Sequence, residues 1–580
     1  MNYIAPLKET DFWLKNVLDH KRIFTVPEFS EFNEEIVEPV LKEIAKIAEE
    51  EISPLNQLSD KKPAKLENGI VRTVEGFSKA YKILADGGWL GISGSISYGG
   101  MGFPLTLTSC FNEYLGSACL SFSLLPLMTQ GQIDALETHA TKKLKDVFLP
   151  RLNSGEWTGT MNLTEPQAGS DVGALKSKAL ENGNGSFSIT GQKIFISWGD
   201  HSLAKNVCHL VLARLPNSPP GSKGISLFIV PKYIEDKDGH WVTNNNVTTV
   251  SLEHKMGLHG SPTAVMEYKD SKGWLIGKRN SGLLAMFTMM NNARLGVGVE
   301  GLSQCELATQ KATNYAMNRK QGKVIIENSE GFIIDHADVR RNLLTMKSLT
   351  SIVRALCLDT AISLDLSRSL DESVKEFHNS RAAFLIPIAK AFSTEIGCQL
   401  ADLAIQVHGG MGYIEETGIA QVYRDVRVTA IYEGTNGIQA VDLVGRKLAD
   451  KGKTAFAVLD EISGTSNQAK NQKDKDIIVM GEKLSHSLKI FRKTLNWMLS
   501  RKNVNDRNAG AMPFLRALGY LLGGHYLLKA SLSSADKDWK SLSKFYFLNL
   551  MDKAIMNSQV SCSGSESLYQ IDKKMFGLHT

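Results

Sequence analysis

Ile431-Tyr432-Glu433-Gly434-Thr435-Asn436-Gly437-Ile438-Gln439 sets one carboxylate behind two large apolar side chains and in front of a glycine. The glycine permits a sharp turn and a close approach by another backbone or a bound molecule. Apolar neighbours strip solvent from the Glu433 carboxylate, favouring its protonated form and moving it toward the range of a base near neutral pH. Taken alone, the stretch reads equally well as a helix boundary carrying a solvated glutamate.

The flanking sequence is helical in pattern. Residues 283–320, 336–370, 380–407 and 418–450 form four long helical stretches with short links, which predicts a bundle. Toward the N-terminus, 28–150 reads mainly as helices, with apolar positions three and four apart over 32–48, a Gly/Ser-rich break at 93–102, and a helix over 133–149 ending at Pro150. At Trp157 the period changes. Segments 158–164, 186–190, 207–213, 224–230 and 247–252 are short, β-branched and aromatic, separated by Asn/Gly/Asp turns. Their spacing predicts an antiparallel barrel or sandwich. Past the bundle, 463–476 reads as a polar linker, and Leu484, Leu488, Phe491, Leu495 and Met498 then line one helical face. The expected fold is α+β and mainly α. It has an N-terminal helical domain (1–156), a central antiparallel β-domain (157–281), a four-helix bundle bearing Glu433 (282–462) and a helical C-terminal extension (463–580).

A chain of 580 residues, 43% hydrophobic and 22% charged, far exceeds one hydrophobic core. Its seven cysteines include no Cys-x-x-Cys, so free core thiols are expected rather than a metal centre or disulfide framework. No apolar run reaches the ~20 residues that span a bilayer. The nearest, 514–528, carries Arg516, His525 and three glycines and reads as a buried helix. The opening MNYIAPLKETDFWLKNVLDHKR lacks a basic segment followed by an apolar one, so a cytoplasmic location is expected. Net charge is +5, with 18 Lys+Arg against 9 Asp+Glu from Ser463 onward. These bases are spaced singly without interleaved aromatics, so a solvated helical face is expected before a nucleic-acid surface.

Six motifs occur in order: Tyr98-Gly99-Gly100-Met101-Gly102, Leu163-Thr164-Glu165-Pro166-Gln167-Ala168-Gly169-Ser170-Asp171, Gly191-Gln192-Lys193-Ile194-Phe195-Ile196-Ser197, Gly224-Ile225-Ser226-Leu227-Phe228, Gln406-Val407-His408-Gly409-Gly410-Met411-Gly412-Tyr413 and Ile431-Tyr432-Glu433-Gly434-Thr435. With the helix–sheet–bundle order, they resemble the acyl-CoA dehydrogenase family over most of 30–450. The extension resembles that family's long branch.

The resemblance implies an FAD-dependent enzyme of acyl-CoA metabolism that converts an acyl-CoA to its trans-2-enoyl form. Glu433 would take the α-proton while the β-hydride passes to flavin N5. The Glu433 N–H and a ribityl hydroxyl would hold the thioester carbonyl, as in an oxyanion hole. In some members the base precedes an arginine on the bundle's first helix; here that arginine matches Arg294, and Ala293 before it cannot serve. Ser170, Arg294 and Gly434 would contact substrate, and Asn291 replaces a frequent aspartate. Leu163, Thr164, Ser170, Phe195 and Ser197 would contact FAD. Phe195 stands where tryptophan is usual, and Ser197 replaces threonine. Arg319, Gln406, Gly409, Gly410 and Thr435 would complete the FAD site, several of them from a neighbouring subunit, which implies a homodimer or larger oligomer. Electron-transfer flavoprotein is the implied acceptor.

Two other readings follow from the same residues. One is an acyl-CoA oxidase, distinguished by peroxide formation in air; the other is a flavin-containing nucleic-acid binder without turnover, which intact Glu433 and Arg294 disfavour. The basic extension could also dock an acidic partner or a membrane surface peripherally. Acyl-chain length is left open between fatty acyl-CoA and 3-methylthiopropionyl-CoA. Gly296-Val297-Gly298-Val299-Glu300-Gly301 fits the Gly-x-Gly-x-x-Gly pattern but follows a helical run and not a strand, so it reads as close helix packing.

Overall fold

The computed structural model describes residues 3–327 and 329–577; the side chains at 287–289 and at Asn291 lie outside the described residues. The chain divides into two compact units, one comprising Glu34–Gly296 and the other Pro6–Asn33 with the chain from Val297 onward.

In the first unit, a sheet is built from β1 (Trp157–Asn162), β2 (Lys178–Glu181), β3 (Phe187–Ser197), β4 (Asn206–Arg214), β5 (Ile225–Pro231), β6 (Val247–Leu252) and β7 (Thr263–Ile276). Its order is β6-β7-β3-β2-β4-β1, and β5 pairs with both β7 and β4, so five strands close into a barrel-like ring. Most pairs are antiparallel. β1 runs parallel to β4 from Trp157↔Asn206 to Asn162↔Val211, and β2 meets β4 in parallel at Lys178↔Arg214.

The apolar runs of β4 and β5 are buried along their whole length. Successive side chains point to opposite faces, so Leu210, Leu212, Leu227 and Ile229 join one core while Val211, Ala213, Phe228 and Val230 join another. The first core includes Leu136 from α1 (Leu105–His139) and Phe148, Leu149 and Leu152 from α2 (Lys142–Asn153). Extended backbone at Cys119 breaks α1. The helix expected over 133–149 is two helices, because Ala140 and Thr141 adopt extended backbone, and Pro150 lies inside α2 instead of ending it.

α3 (Gly282–Asn318) passes from the first unit into the second. There it is followed by α4 (Ala337–Leu366), α5 (Glu372–His408) and α6 (Asn436–Asp442). α3 and α5 touch backbone to backbone. A Cβ on Gly298 would stand 2.9 Å from the Ala389 carbonyl oxygen, and one on Gly301 would stand 2.7 Å from the Ser393 carbonyl carbon. The Gly-x-Gly-x-x-Gly pattern is thus helix packing.

α7 (Lys453–Lys470), α8 (Lys475–Ser500), α9 (Val504–Ser533), α10 (Lys537–Asn549) and α11 (Asp552–Ser561) follow. The expected linker is helical through Lys470, since its small polar side chains pack: Ser466 Oγ donates to the Gly481 carbonyl at 2.8 Å, and Thr465 and Ala469 are buried. Leu484, Leu488, Phe491, Leu495 and Met498 are buried as their spacing predicts. Among the described residues no helix is long and apolar enough to cross a membrane.

Candidate active site

The helix expected over 418–450 is interrupted where the chemistry is expected. Helical residues Ile419–Val426 lead into a 3-10 turn, Arg427–Ala430, and α6 starts only at Asn436. Between them Glu433 has φ 55° and Gly434 φ 82°, both left-handed. For a non-glycine this conformation costs on the order of 1–3 kcal/mol and needs outside support.

The support is visible. Gln439 Nε2 donates to the Glu433 carbonyl at 2.9 Å, and Lys390 Nζ on α5 donates to the Gly434 carbonyl at 2.9 Å and to Asn436 Oδ1 at 3.0 Å. Asn436 Nδ2 donates to the Ala391 carbonyl at 3.1 Å. Thr435 caps α6, its hydroxyl accepting from the Ile438 N–H. Lys390 is wholly buried, whereas Glu433 and Gly434 are half-buried and Thr435 is exposed.

Two polar groups under this turn are absent from the sequence-based set. Tyr432 donates its hydroxyl to Glu300 Oε2 on α3. Burial pushes the Glu300 carboxyl up to about 8; the nearby Glu433 charge adds to the rise, while the Tyr432 hydrogen bond and Lys390 oppose it. Tyr432 is held well above its usual range, first by burial and then by the charges of Glu300 and Glu433. A carboxylate and a lysine isolated in apolar helical runs, Glu300 after Val299 and Lys390 after Ala389, are the sequence signal for both.

In the first unit, Leu163 and Thr164 follow β1. The Leu163 carbonyl accepts from Lys193 Nζ at 3.0 Å and that of Thr164 from the Ile194 N–H at 3.0 Å. Lys193 also meets Glu165 at 2.8 Å, both side chains buried. Glu165 further accepts from the Lys176 N–H, the Ser177 N–H and the Ser177 hydroxyl. This pair ties the first and second halves of the motif region together, a structural duty that the motifs did not reveal.

Phe195 has φ 60° and lies where β3 shifts register against β7: Ile194 and Phe195 stand between the partners of Ala264 and Met266. A bulge re-aims a side chain, and Phe195 is 60% exposed for that reason. Ser197 is half-buried, its carbonyl accepting from the Thr160 hydroxyl at 2.8 Å. Ser170 is exposed and Arg294 is buried on α3.

In the second unit, Arg319 and Gln406 are exposed. Gly409 (φ 59°, ψ −140°) and Gly410 have nothing within 4 Å of where a Cβ would be. His408 is structural: its Nδ1 meets the Ala404 carbonyl at 2.7 Å and its ring stacks on Tyr315 at 4.4 Å. An outward-turned aromatic on a bulge and unobstructed glycine backbone are features that a flat, phosphate-bearing cofactor such as FAD can use.

Four domain descriptions match the chain in order: the acyl-CoA dehydrogenase N-terminal domain over 34–156, its middle domain over 160–271, its C-terminal domain over 280–448, and an acetyl-CoA dehydrogenase C-terminal-like domain over 458–572. The chain belongs to the acyl-CoA dehydrogenase family. It is 40% identical to 3-methylmercaptopropionyl-CoA dehydrogenase of Ruegeria pomeroyi over 92% of each chain. It is 34% identical to a butyryl-CoA dehydrogenase of Syntrophomonas wolfei over 78% of this chain and 76% of the relative. The fold matches that of an acyl-CoA dehydrogenase from Bacillus anthracis complexed with FAD, with a TM-score of 0.75, 19% identity and coverage of 98% of this chain and 95% of the other. This acyl-CoA dehydrogenase is therefore an FAD-dependent oxidoreductase, with helices, β-domain, bundle and helical extension in the expected order.

Proposed function

We propose that Glu433 is the base that takes the α-proton of an acyl-CoA thioester. The observation that carries this is the turn itself. Glu433 is held left-handed, with its own carbonyl taken by Gln439 and the next carbonyl by buried Lys390. Its backbone is thereby fixed outside any helix. The N–H would donate to the thioester carbonyl as enolate charge develops, and the carboxylate would accept the proton, a pairing of oxyanion stabilisation with positioning. Bound FAD supplies the two-electron acceptor for the β-hydrogen leaving as hydride.

Arg294, Ser170 and Gly434 would orient the substrate. Leu163, Thr164, Phe195 and Ser197 would bind the flavin end, and Thr435 the adenosine end. Arg319, Gln406, Gly409 and Gly410 would reach FAD held by a second copy. The open backbone at Gly409 and Gly410 and the exposure of Tyr413 (89%) and Ile325 (93%) support a homodimer with shared sites. The division into domains at 156, 281 and 462, an electron-transfer flavoprotein as acceptor, and a cytoplasmic location belong to the same proposal.

The two relatives named above, a 3-methylmercaptopropionyl-CoA and a butyryl-CoA dehydrogenase, support short acyl chains, including sulfur-containing ones, as the first to test. Anaerobic addition of butyryl-CoA or 3-methylthiopropionyl-CoA is expected to bleach the flavin. Glu433→Gln is expected to slow bleaching by at least about 100-fold, the usual scale of a lost general base. Bleaching at the wild-type rate in that variant would refute the assignment, and a turnover screen over chain lengths fixes the substrate.

A further inference from the structure

Glu300 is a carboxylic acid in a place that disfavours charge. It stands on α3 between Gly298 and Gly301, whose missing side chains bring α3 against α5, and it is 4% exposed. One carboxyl oxygen meets the Tyr432 hydroxyl, and the other has no hydrogen-bond partner among the described residues. An ionised carboxylate there would bear its desolvation with a single donor; the neutral acid would not. The charged and titratable groups facing it are Tyr432 and Glu433 from the turn and Lys390 from α5, whose ammonium donates to Gly434 and Asn436.

We propose that Glu300 is a positioning residue for the Glu433 base, kept as a neutral acid against Tyr432 so that Glu433 carries the only negative charge at this turn. The inference rests on reading Glu433 as the base. Ionised Glu300 would add a second negative charge beside Glu433, where enolate charge must also develop, and so oppose the transition state. Because the Glu300 carboxyl is raised to about 8, the neutral form is complete below that pH and is lost as pH rises through it.

The test uses full-length, FAD-loaded protein as wild type, Glu300→Gln and Tyr432→Phe, with infrared difference titration beside the pH profile of kcat/KM. A carboxylic-acid carbonyl band is expected at pH 7, absent from Glu300→Gln and disappearing as pH rises through about 8. Wild type should lose kcat/KM over the same range, and Glu300→Gln should lack that alkaline limb. Tyr432→Phe removes the hydrogen bond that favours ionisation and should move both band and limb to higher pH. If Glu300→Gln does not fold, the band shift in Tyr432→Phe decides. Absence of the band at pH 7, or identical alkaline limbs in wild type and Glu300→Gln, overturns the proposal. Full-rate bleaching by Glu433→Gln would instead defeat the base assignment, since the infrared band requires no turnover.

Discussion

Gly434 follows a glutamate already in the left-handed region, and its own φ of 82° admits few side chains without strain. A Cβ there would also stand 2.9 Å from Gln439 Nε2, the group that fixes the Glu433 carbonyl. Gly434→Ala is therefore expected to lose about 1–3 kcal/mol of stability, read from denaturant midpoints, and to lower kcat more than it raises KM. Lys193 tests the other unit. Burial lowers its ammonium to about 8, against the raising effect of Glu165. Burial opposes ionisation of Glu165 as well, but Lys193 and the Ser177 and Lys176 hydrogen bonds hold its carboxyl at about 2. Lys193→Met strands a buried carboxylate and should cost about 3–5 kcal/mol at pH 7. Since the ionised Glu165 is what stands uncompensated, the penalty should shrink as pH falls below about 4.5. An equal midpoint shift at pH 7 and pH 4 would mean that packing and not charge is lost.

Elements were legible where one physical rule governed them. The segments over 207–213 and 224–230 read as short, β-branched and aromatic strands, and β4 and β5 form there with apolar residues buried on both faces. α8 announced its inner face through Leu484 to Met498. The expected helix over 418–450 failed because periodicity continues through a break whose cause is two left-handed residues braced by Lys390, a partner far off in sequence. The linker failed for the opposite reason: Ser, Thr and Ala look like loop residues until Gly481 lets a second helix close on them. A Cβ on Gly481 would lie 2.9 Å from that of Ala469. Motif order singled out Glu433 and Phe195 as candidates but passed over Glu300, because its glycine neighbours were explained by packing alone. That packing is itself testable. Gly301→Ala drives a methyl into the Ser393 backbone, which cannot swing aside as a side chain would. The expected cost is about 1–3 kcal/mol. It should also disturb the Glu300–Tyr432 contact one residue away, whereas Gly464→Ala, inside α7 with open space at its Cβ, should leave kcat unchanged and raise stability by about 0.5–1 kcal/mol.

A long-range connection in the second unit joins the start of the chain to its centre. Glu9, on the short helix Leu7–Phe12, accepts from Arg354 Nη1 at 2.6 Å, from the Ser351 hydroxyl at 2.7 Å, and from Lys347. Arg354 is fully buried in α4, and its other arm donates to Glu306 Oε2 on α3 at 2.6 Å. One guanidinium thus links the N-terminal segment to two bundle helices, and removing either carboxylate leaves a buried cation half-compensated. Burial by itself would raise the Glu9 carboxyl; Arg354 and then Lys347 override it and hold the group at about 2. The native state therefore prefers ionised Glu9 more strongly than the unfolded chain does, where the value is 4.5. The stability from this contact is complete above that unfolded value and is lost as pH falls toward about 2. Glu9→Gln, which keeps the shape and removes the charge, should lower the thermal midpoint at pH 7 by an amount corresponding to about 3–5 kcal/mol. The gap between wild type and variant should then narrow steadily below pH 4.5. A gap that stays constant across that window would mean that the N-terminal helix is held by its apolar contacts alone, with Arg354 satisfied by Glu306.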